Sequence, residues 1–238
     1  MICKNCNSQV NQNFCPNCGQ PVQVKRIDRQ YITHEIEEVL HFERGMLYTL
    51  KALLTNPGQN IKFFINENRH RLVKPIVFII LTSFIYSIVI HFLRVEDDYI
   101  NFDDVNAPAI THIFNWIREH YGYANIVIGV FIAFWLKLFF RKYDFNFFEI
   151  LILLCFVMGM GMLILSVFAI LQALTQVNLI QAGGVVVMIY CTLAIGQFFD
   201  TKKGMSYIKA AVSYLLGLLS FALSVFLIGT LIELVIKN

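Results

Sequence analysis

Charged side chains are scarce in this chain of 238 residues. Asp, Glu, Lys and Arg together make up 15% of it, against about 25% in ordinary soluble domains. Hydrophobic residues make up 57%, and they gather in long runs that a globular core of this size could not bury. The composition therefore excludes an ordinary soluble domain and predicts a membrane protein.

Five apolar runs are close to, or longer than, the ~20 residues that a helix needs to cross ~30 Å of hydrocarbon. They lack the alternation of apolar and polar residues typical of barrel strands, and a helix satisfies its own backbone hydrogen bonds. We therefore predict a mainly α protein, a polytopic membrane helical bundle in residues 75–238. The predicted spans are residues 75–93, 123–140, 147–171, 179–199 and 210–236.

The second run is the shortest and contains Lys137 near its end. A long aliphatic stem can carry the ammonium group back to the headgroups, so this run is counted as a span.

No secretory signal peptide is predicted, because the first 74 residues contain no apolar core of the required kind. Sixteen of the 19 Lys and Arg residues precede the first span, lie at the end of the second (Lys137) or follow the second and fourth. Cationic loops concentrate on the cytoplasmic side. We therefore predict a multi-pass protein of the cytoplasmic (inner) membrane, with its N-terminus in the cytoplasm and its C-terminus outside.

Cysteine is infrequent, but four of the six cysteines form two Cys-x2-Cys pairs near the N-terminus. In a reducing compartment such pairs bind metal rather than forming disulfides. Four thiolates in tetrahedral array suit Zn2+ and leave no position open for substrate. We predict a zinc ribbon in residues 1–24 that holds one structural Zn2+; an iron–sulfur cluster or a redox dithiol is the alternative. The predicted ligands are Cys3, Cys6, Cys15 and Cys18.

The ribbon has little core of its own, since Phe14 and Val10 are the only sizeable apolar side chains between the two pairs. We expect it to be unfolded without metal. The other two cysteines, Cys155 and Cys191, lie within spans and are predicted to be inert packing residues.

Charge is nearly absent from the ribbon, where Lys4 is the only charged side chain from Met1 to Val24. Nucleic-acid binding depends on neutralising phosphates with Lys and Arg, so nucleic acid is not an expected partner. The neutral polar surface suits a protein partner, or a folded cap with no partner outside its own chain.

Residues 25–74 are predicted to form a cytosolic amphipathic and juxtamembrane helical region. Apolar residues recur near helical spacing until Asn56-Pro57-Gly58 ends the run. The apolar stripe would lie on the bilayer or pack against the cytosolic ends of the spans. It consists of Ile32, Ile36, Val39, Met46, Leu50, Leu53 and Leu54.

Two polar sets in this region are candidate sites. His34, Glu38 and His41 share one helical face, where they could present metal ligands or form a solvated polar surface. Four cations before the first span form a basic collar, which would attract anionic lipid headgroups or simply reflect the cationic bias of cytoplasmic segments. The collar consists of Lys62, Arg69, Arg71 and Lys74.

The long connection after the first span, residues 94–122, contains six acidic residues. It is interpreted as a solvated acidic loop, with cation binding as the alternative. A short interfacial helix is predicted within it from the spacing of Ile110, Ile113, Phe114 and Ile117.

Charge is missing from the middle of every predicted span, where ion-coupled carriers usually need it. We also find no nucleophile–base set, phosphate loop or metalloprotease helix. Gly and Met at residues 158–162 favour close helix packing, and they would also suit a pliable apolar pocket. The prediction is a non-enzymatic protein with a protein-interaction or scaffolding role. A transporter or channel for a small or apolar solute is the alternative, and a membrane-bound enzyme comes third.

Several segments resemble a bacterial membrane family catalogued as a domain of unknown function, number 3667. They are Phe-Cys-Pro-Asn-Cys-Gly-Gln at residues 14–20, Gly-Met-Leu-Tyr-Thr-Leu-Lys-Ala-Leu-Leu at 45–54, Asn-Pro-Gly at 56–58 and Arg-Leu-Val-Lys-Pro-Ile at 71–76. The resemblance covers residues 1 to about 90. It implies a zinc ribbon, a helix, a turn, a basic stretch and several spans, in that order, in a bacterial inner membrane. It implies no particular activity.

Overall fold

The chain divides into two compact units, Met1–Arg44 and Gly45–Asn238. A computed structural model describes residues 2, 6, 8, 9, 14–18, 45–69, 71–93, 113, 116, 117 and 121–237. For residues 121, 122 and 233–237, only the backbone is described. The boundary falls inside the predicted region 25–74, so residues 45–74 belong to the same unit as the spans.

The second unit is helical, as predicted. Helix α1 comprises residues 45–55. Helices α2 to α7 are Pro57–Asn66, Pro75–Leu93, Tyr121–Phe139, Phe147–Thr175, Ile180–Phe199 and Gly204–Lys237. In the first unit, the described residues contain no helix, and an isolated antiparallel bridge joins Ile2 and Gln9.

Four helices, α3, α5, α6 and α7, are long and apolar enough to cross a membrane. α3 coincides with the first predicted span, and α5 and α6 begin within one residue of the prediction. α7 begins at Gly204 rather than at residue 210. The 29 residues of α5 extend about 44 Å at ~1.5 Å per residue. Because the hydrocarbon is only ~30 Å thick, the ends of α5 reach the interfaces.

The second apolar run also forms a helix, α4. Its apolar part, Tyr123–Phe139, is shorter than the other four candidates, and its crossing of the membrane stays a prediction. In the connection before it, Ile113, Trp116 and Ile117 are helical, which agrees with the short helix predicted there.

α4 packs against two neighbouring helices. Asn125 Nδ2 donates a hydrogen bond to Ser83 Oγ of α3 at 3.4 Å. Trp135 Nε1 donates to Ser220 Oγ of α7 at 3.2 Å. Both contacts lie on apolar helices, where a polar group without a partner would be costly.

The side chain of Lys137 forms a hydrogen bond across the turn that follows α4. Its Nζ donates to the carbonyl oxygen of Phe145 at 2.5 Å. The ammonium group therefore reaches the end of the helix, as the sequence predicted, and it finds a backbone acceptor there.

α1 and α2 form a helical hairpin around Asn56. The sequence interpretation ended the helical run at Asn56-Pro57-Gly58 and did not predict a second helix, so it was incomplete here. Pro57 occupies the first turn of α2, where its missing N–H breaks no helical hydrogen bond. Asn60 Nδ2 donates to the carbonyl oxygens of Ala52 and Asn56, both at 2.9 Å, and so joins the two arms.

The hairpin packs against the chain's own spans. Tyr190 of α6 donates its hydroxyl hydrogen to the carbonyl oxygen of Leu53 at 3.1 Å. Phe64 of α2 lies edge-on to Phe156 of α5, with ring centroids 5.3 Å apart. Leu54, which the sequence placed in the same apolar stripe, is instead 64% exposed. The described residues of α1 and α2 therefore pack against the spans, which is one of the two alternatives that the sequence left open.

Gly58 allows α2 to approach the backbone of α6. A methyl group at this position would lie 2.6 Å from the carbonyl oxygen of Ala194 and still closer to the backbone nitrogen of Phe198. Both distances are shorter than van der Waals contact, so only glycine fits here.

Gly159 plays a similar part between α5 and α3. Its methyl position lies 2.8 Å from the ring of Phe78 and 2.9 Å from Thr82 Oγ1. This part of the Gly- and Met-rich segment is therefore closely packed against α3, as the sequence predicted.

Aromatic rings hold one end of the bundle together. Phe140, after α4, stacks on Phe199, at the end of α6, with centroids 3.9 Å apart. Phe145 lies 4.6 Å from Phe198, and Lys62 Nζ of α2 lies 5.7 Å from the centroid of Phe145. The turn after α4, the turn after α6 and helix α2 therefore share one end.

We expect Gly58→Ala to destabilise the bundle, because the added methyl group pushes α2 away from α6. Overpacking typically costs about 1–3 kcal/mol, and the backbone atoms met here cannot rotate away. The measurement is the melting temperature of the full chain in detergent. Gly204→Ala is the matched control, since nothing lies within 4 Å of its methyl position. Equal melting temperatures for the two variants would contradict the docking of α2 on α6.

Candidate metal centre and basic surface

Three of the four predicted zinc ligands come together in the N-terminal unit. The Sγ atoms of Cys6, Cys15 and Cys18 all lie within 4.8 Å of one another, and those of Cys6 and Cys15 are 3.5 Å apart. Cys15 is almost fully buried. The fourth predicted ligand, Cys3, lies outside the described residues. The three thiols can hold a metal ion.

Ser8 and Asn17 link the two cysteine pairs. The Cys6 thiol donates to Ser8 Oγ at 3.3 Å, and Asn17 Nδ2 donates to the same oxygen at 3.1 Å. As a thiolate, the Cys6 sulfur accepts hydrogen bonds from Ser8, chiefly from its hydroxyl and then from its backbone N–H, and these lower the pKa of Cys6 to about 6. The lower pKa favours the thiolate, which is the form that binds metal.

The apolar side chains of this unit face outward where they are described. Ile2 is 67% exposed and Phe14 is 62% exposed. Phe14 was one of the two residues available as a core, and Val10 lies outside the described residues. The exposure of Phe14 leaves the ribbon still more dependent on its cysteines for a fixed fold.

The remaining two cysteines lie inside candidate spans, apart from the thiol cluster. Cys155 is half-buried in α5 and Cys191 is buried in α6. Both positions suit the packing role predicted for them.

Two cations of the predicted basic collar are engaged with aromatic rings. The guanidinium carbon of Arg71 lies 4.8 Å from the ring centroid of Phe63 and 5.6 Å from that of Tyr48, and Arg71 Nε donates to the Tyr48 hydroxyl. Lys62 Nζ lies over Phe145. Through these cation–π contacts, Arg71 joins the two arms of the hairpin, and Lys62 joins α2 to the turn after α4.

The other two collar residues, Arg69 and Lys74, are exposed. Arg69 lines a pocket of about 220 Å³ between α2 and the start of α5. The lining is completed by Phe64, Ile65, Asn146, Phe148, Glu149 and Ile152. The sequence did not reveal this pocket, because its two sides are far apart along the chain.

The second predicted polar or metal-binding face, His34, Glu38 and His41, lies outside the described residues. It stays a prediction.

These features define a helical membrane protein with a cysteine cluster near its N-terminus. Residues 43–87 match the model of a family described as "Protein of unknown function (DUF3667)". The match confirms the family resemblance for the hairpin, the basic stretch and most of α3; the cysteine pairs lie outside it. No curated protein and no solved structure matches the chain.

We expect the purified full chain to contain about one metal ion per molecule, and Cys15→Ser to lose it, because four thiolates are needed for a closed site. Elemental analysis by mass spectrometry measures the content and identifies the metal. Cys155→Ser, which removes a thiol outside the cluster, is the control and should keep the wild-type content. Full metal content in Cys15→Ser would contradict the assigned centre.

Proposed function

We propose that this chain is a non-enzymatic, multi-pass inner-membrane protein that uses its zinc ribbon to bind a protein partner. The observation that carries the proposal is a convergent thiol cluster in the same unit as two outward-facing apolar side chains, Ile2 and Phe14. A structural metal fixes the shape of such a small unit. Exposed apolar side chains on a fixed surface are the usual anchors of protein interfaces.

Zinc is the metal that suits this cluster best. Thiolates at ~2.3 Å from a tetrahedral zinc ion lie roughly 3.8 Å from one another. The Cys6 and Cys15 sulfurs are 3.5 Å apart, and no pair within the cluster exceeds 4.8 Å. Cys3 would supply the fourth thiolate. Zinc would then stabilise the fold and leave no position for a substrate.

The proposed orientation places the ribbon in the cytoplasm of a bacterium and the C-terminus outside. The turns after α4 and α6 are held at one end of the bundle by the stack of Phe140 on Phe199. Both turns are cationic, with Arg141 and Lys142 in the first and Lys202 and Lys203 in the second. Cations at one end mark the cytoplasmic side, and the reducing cytoplasm keeps cysteines available for metal.

The packing of the bundle supports a scaffolding role for the membrane domain. Gly159 lies against Phe78 and Thr82, and the rings of Phe78 and Phe156 have centroids 5.6 Å apart. Close helix packing of this kind suits a rigid membrane support.

The test is crosslinking of the full chain in intact membranes, with captured proteins identified by mass spectrometry. Because Phe14 is exposed, Phe14→Ser should keep the wild-type metal content but reduce recovery of the partner about tenfold, as expected for an interface anchor. Cys15→Ser should lose the same partner by loss of the fold.

Leu54→Ser is the matched control, since Leu54 is also exposed but belongs to the hairpin. It should recover the partner at the wild-type level. Equal recovery by wild type, Phe14→Ser and Cys15→Ser would rule out a partner that binds through the ribbon.

A further inference from the structure

We infer that the pocket between α2 and the start of α5 binds one phospholipid whose zwitterionic headgroup carries a primary amine. The inference concerns the membrane domain and does not depend on the role proposed for the ribbon.

Opposite charges line this pocket. Arg69 follows α2, and Glu149 lies in the first turn of α5. Within the part of the chain that the structure describes, these two side chains form no ion pair, whereas Lys203 and Asp200 do so at 2.9 Å. A headgroup with a phosphate and an ammonium group can serve both: the guanidinium donates to the phosphate, and the carboxylate accepts from the ammonium.

The carboxylate of Glu149 is held in place by a capping box. Its Oε2 accepts a hydrogen bond from the backbone N–H of Asn146 at 2.7 Å, and Asn146 Oδ1 accepts one from the backbone N–H of Glu149 at 2.9 Å. The box uses one carboxylate oxygen, and a carboxylate has further acceptor capacity on the other. A side chain that is already fixed loses less entropy on binding a ligand.

The walls and size of the pocket suit a headgroup at the membrane boundary. Phe64 and Ile65 are buried beside it, while Phe148 is 73% exposed at the start of a candidate span. The volume of about 220 Å³ is below the ~300–1,000 Å³ of pockets that enclose drug-sized ligands. A pocket of this size would take a headgroup but not a whole lipid, so the acyl chains would extend along Phe148 into the bilayer.

A purely anionic headgroup fits this pocket less well. Arg69 is the cationic residue in the pocket lining. Arg71 is instead in contact with the rings of Tyr48 and Phe63. An anionic lipid without an amine would satisfy Arg69 but leave the Glu149 carboxylate facing a like charge. The amine of the zwitterionic headgroup removes this repulsion.

Native mass spectrometry of the full chain, titrated with three phospholipids of identical acyl chains, tests the inference. The probes are phosphatidylethanolamine, its trimethylated analogue phosphatidylcholine, and phosphatidylglycerol. We expect the ethanolamine lipid to bind roughly three- to tenfold more tightly than either of the others, because it alone donates N–H bonds to the carboxylate while its phosphate meets Arg69. Equal binding of the three, or tightest binding of phosphatidylglycerol, would overturn the inference.

Glu149→Gln separates charge recognition from folding. Gln is also found at this position of capping boxes, so the variant should keep the wild-type melting temperature while losing the preference for ethanolamine over choline. Arg69→Gln should weaken all three lipids. Arg141→Gln is the control, because Arg141 is exposed and lies outside the pocket lining. Retention of the ethanolamine preference by Glu149→Gln would overturn the inference.

Soluble glycerophosphoethanolamine distinguishes a lipid from a free headgroup. At concentrations equal to those of the lipid, it should not displace bound phosphatidylethanolamine, since it lacks the acyl chains that lie along Phe148. Full displacement at equal concentration would show that the site takes a water-soluble phosphoester and would overturn the lipid assignment.

Discussion

The backbone of a membrane protein must satisfy its hydrogen bonds within the protein, because hydrocarbon offers no partners. Within the bundle, α-helices meet this requirement, and side chains meet it at the helix ends. Asn146 and Glu149 exchange hydrogen bonds with each other's backbone at the start of α5. At its far end, Gln172 Oε1 accepts from the backbone N–H groups of Leu179 and Ile180, at 2.9 and 3.0 Å. The polar side chains near both ends of α5 therefore satisfy backbone hydrogen bonds, whatever further function they have.

The segment that matches the family model contains the hairpin of α1 and α2. Residues 43–87 cover the hairpin, the connection to α3 and most of α3 itself. α3 has 19 residues and α5 has 29, so α5 is long enough to contact both α3 and α2. The contacts from Phe64 to Phe156 and from Phe156 to Phe78 join the three helices. Two parts of the matched segment thus meet on α5, and Gly58 in the first turn of α2 allows α2 to reach α6.

Much of the bundle could be predicted because length and composition alone distinguish a span from other helices. α2 could not, since Pro57 and Gly58 resemble a helix terminator. The spacing of Ile61, Phe64 and Ile65 was the signal that could have identified it. For the thiol cluster, the Cys-x2-Cys spacing was sufficient, because residues 16–18 of the second pair form a local turn. The pocket at Arg69 and Glu149 depends on tertiary packing, and no local pattern encodes it.

The direction of the chain through the bundle supports the prediction that α4 crosses the membrane. α3 and α5 run parallel: Phe78 packs on Phe156 near one end of α3, and Val89 and Ile90 pack near Ala169 at the other. We therefore expect the chain to return between them through α4. Topology reporters placed after residue 142, after residue 202 and at Asn238 of the full chain test this path directly. The orientation proposed from the cationic turns predicts cytoplasmic signals at the first two positions and an outside signal at Asn238. Outside signals at residues 142 and 202 with a cytoplasmic signal at Asn238 would contradict it.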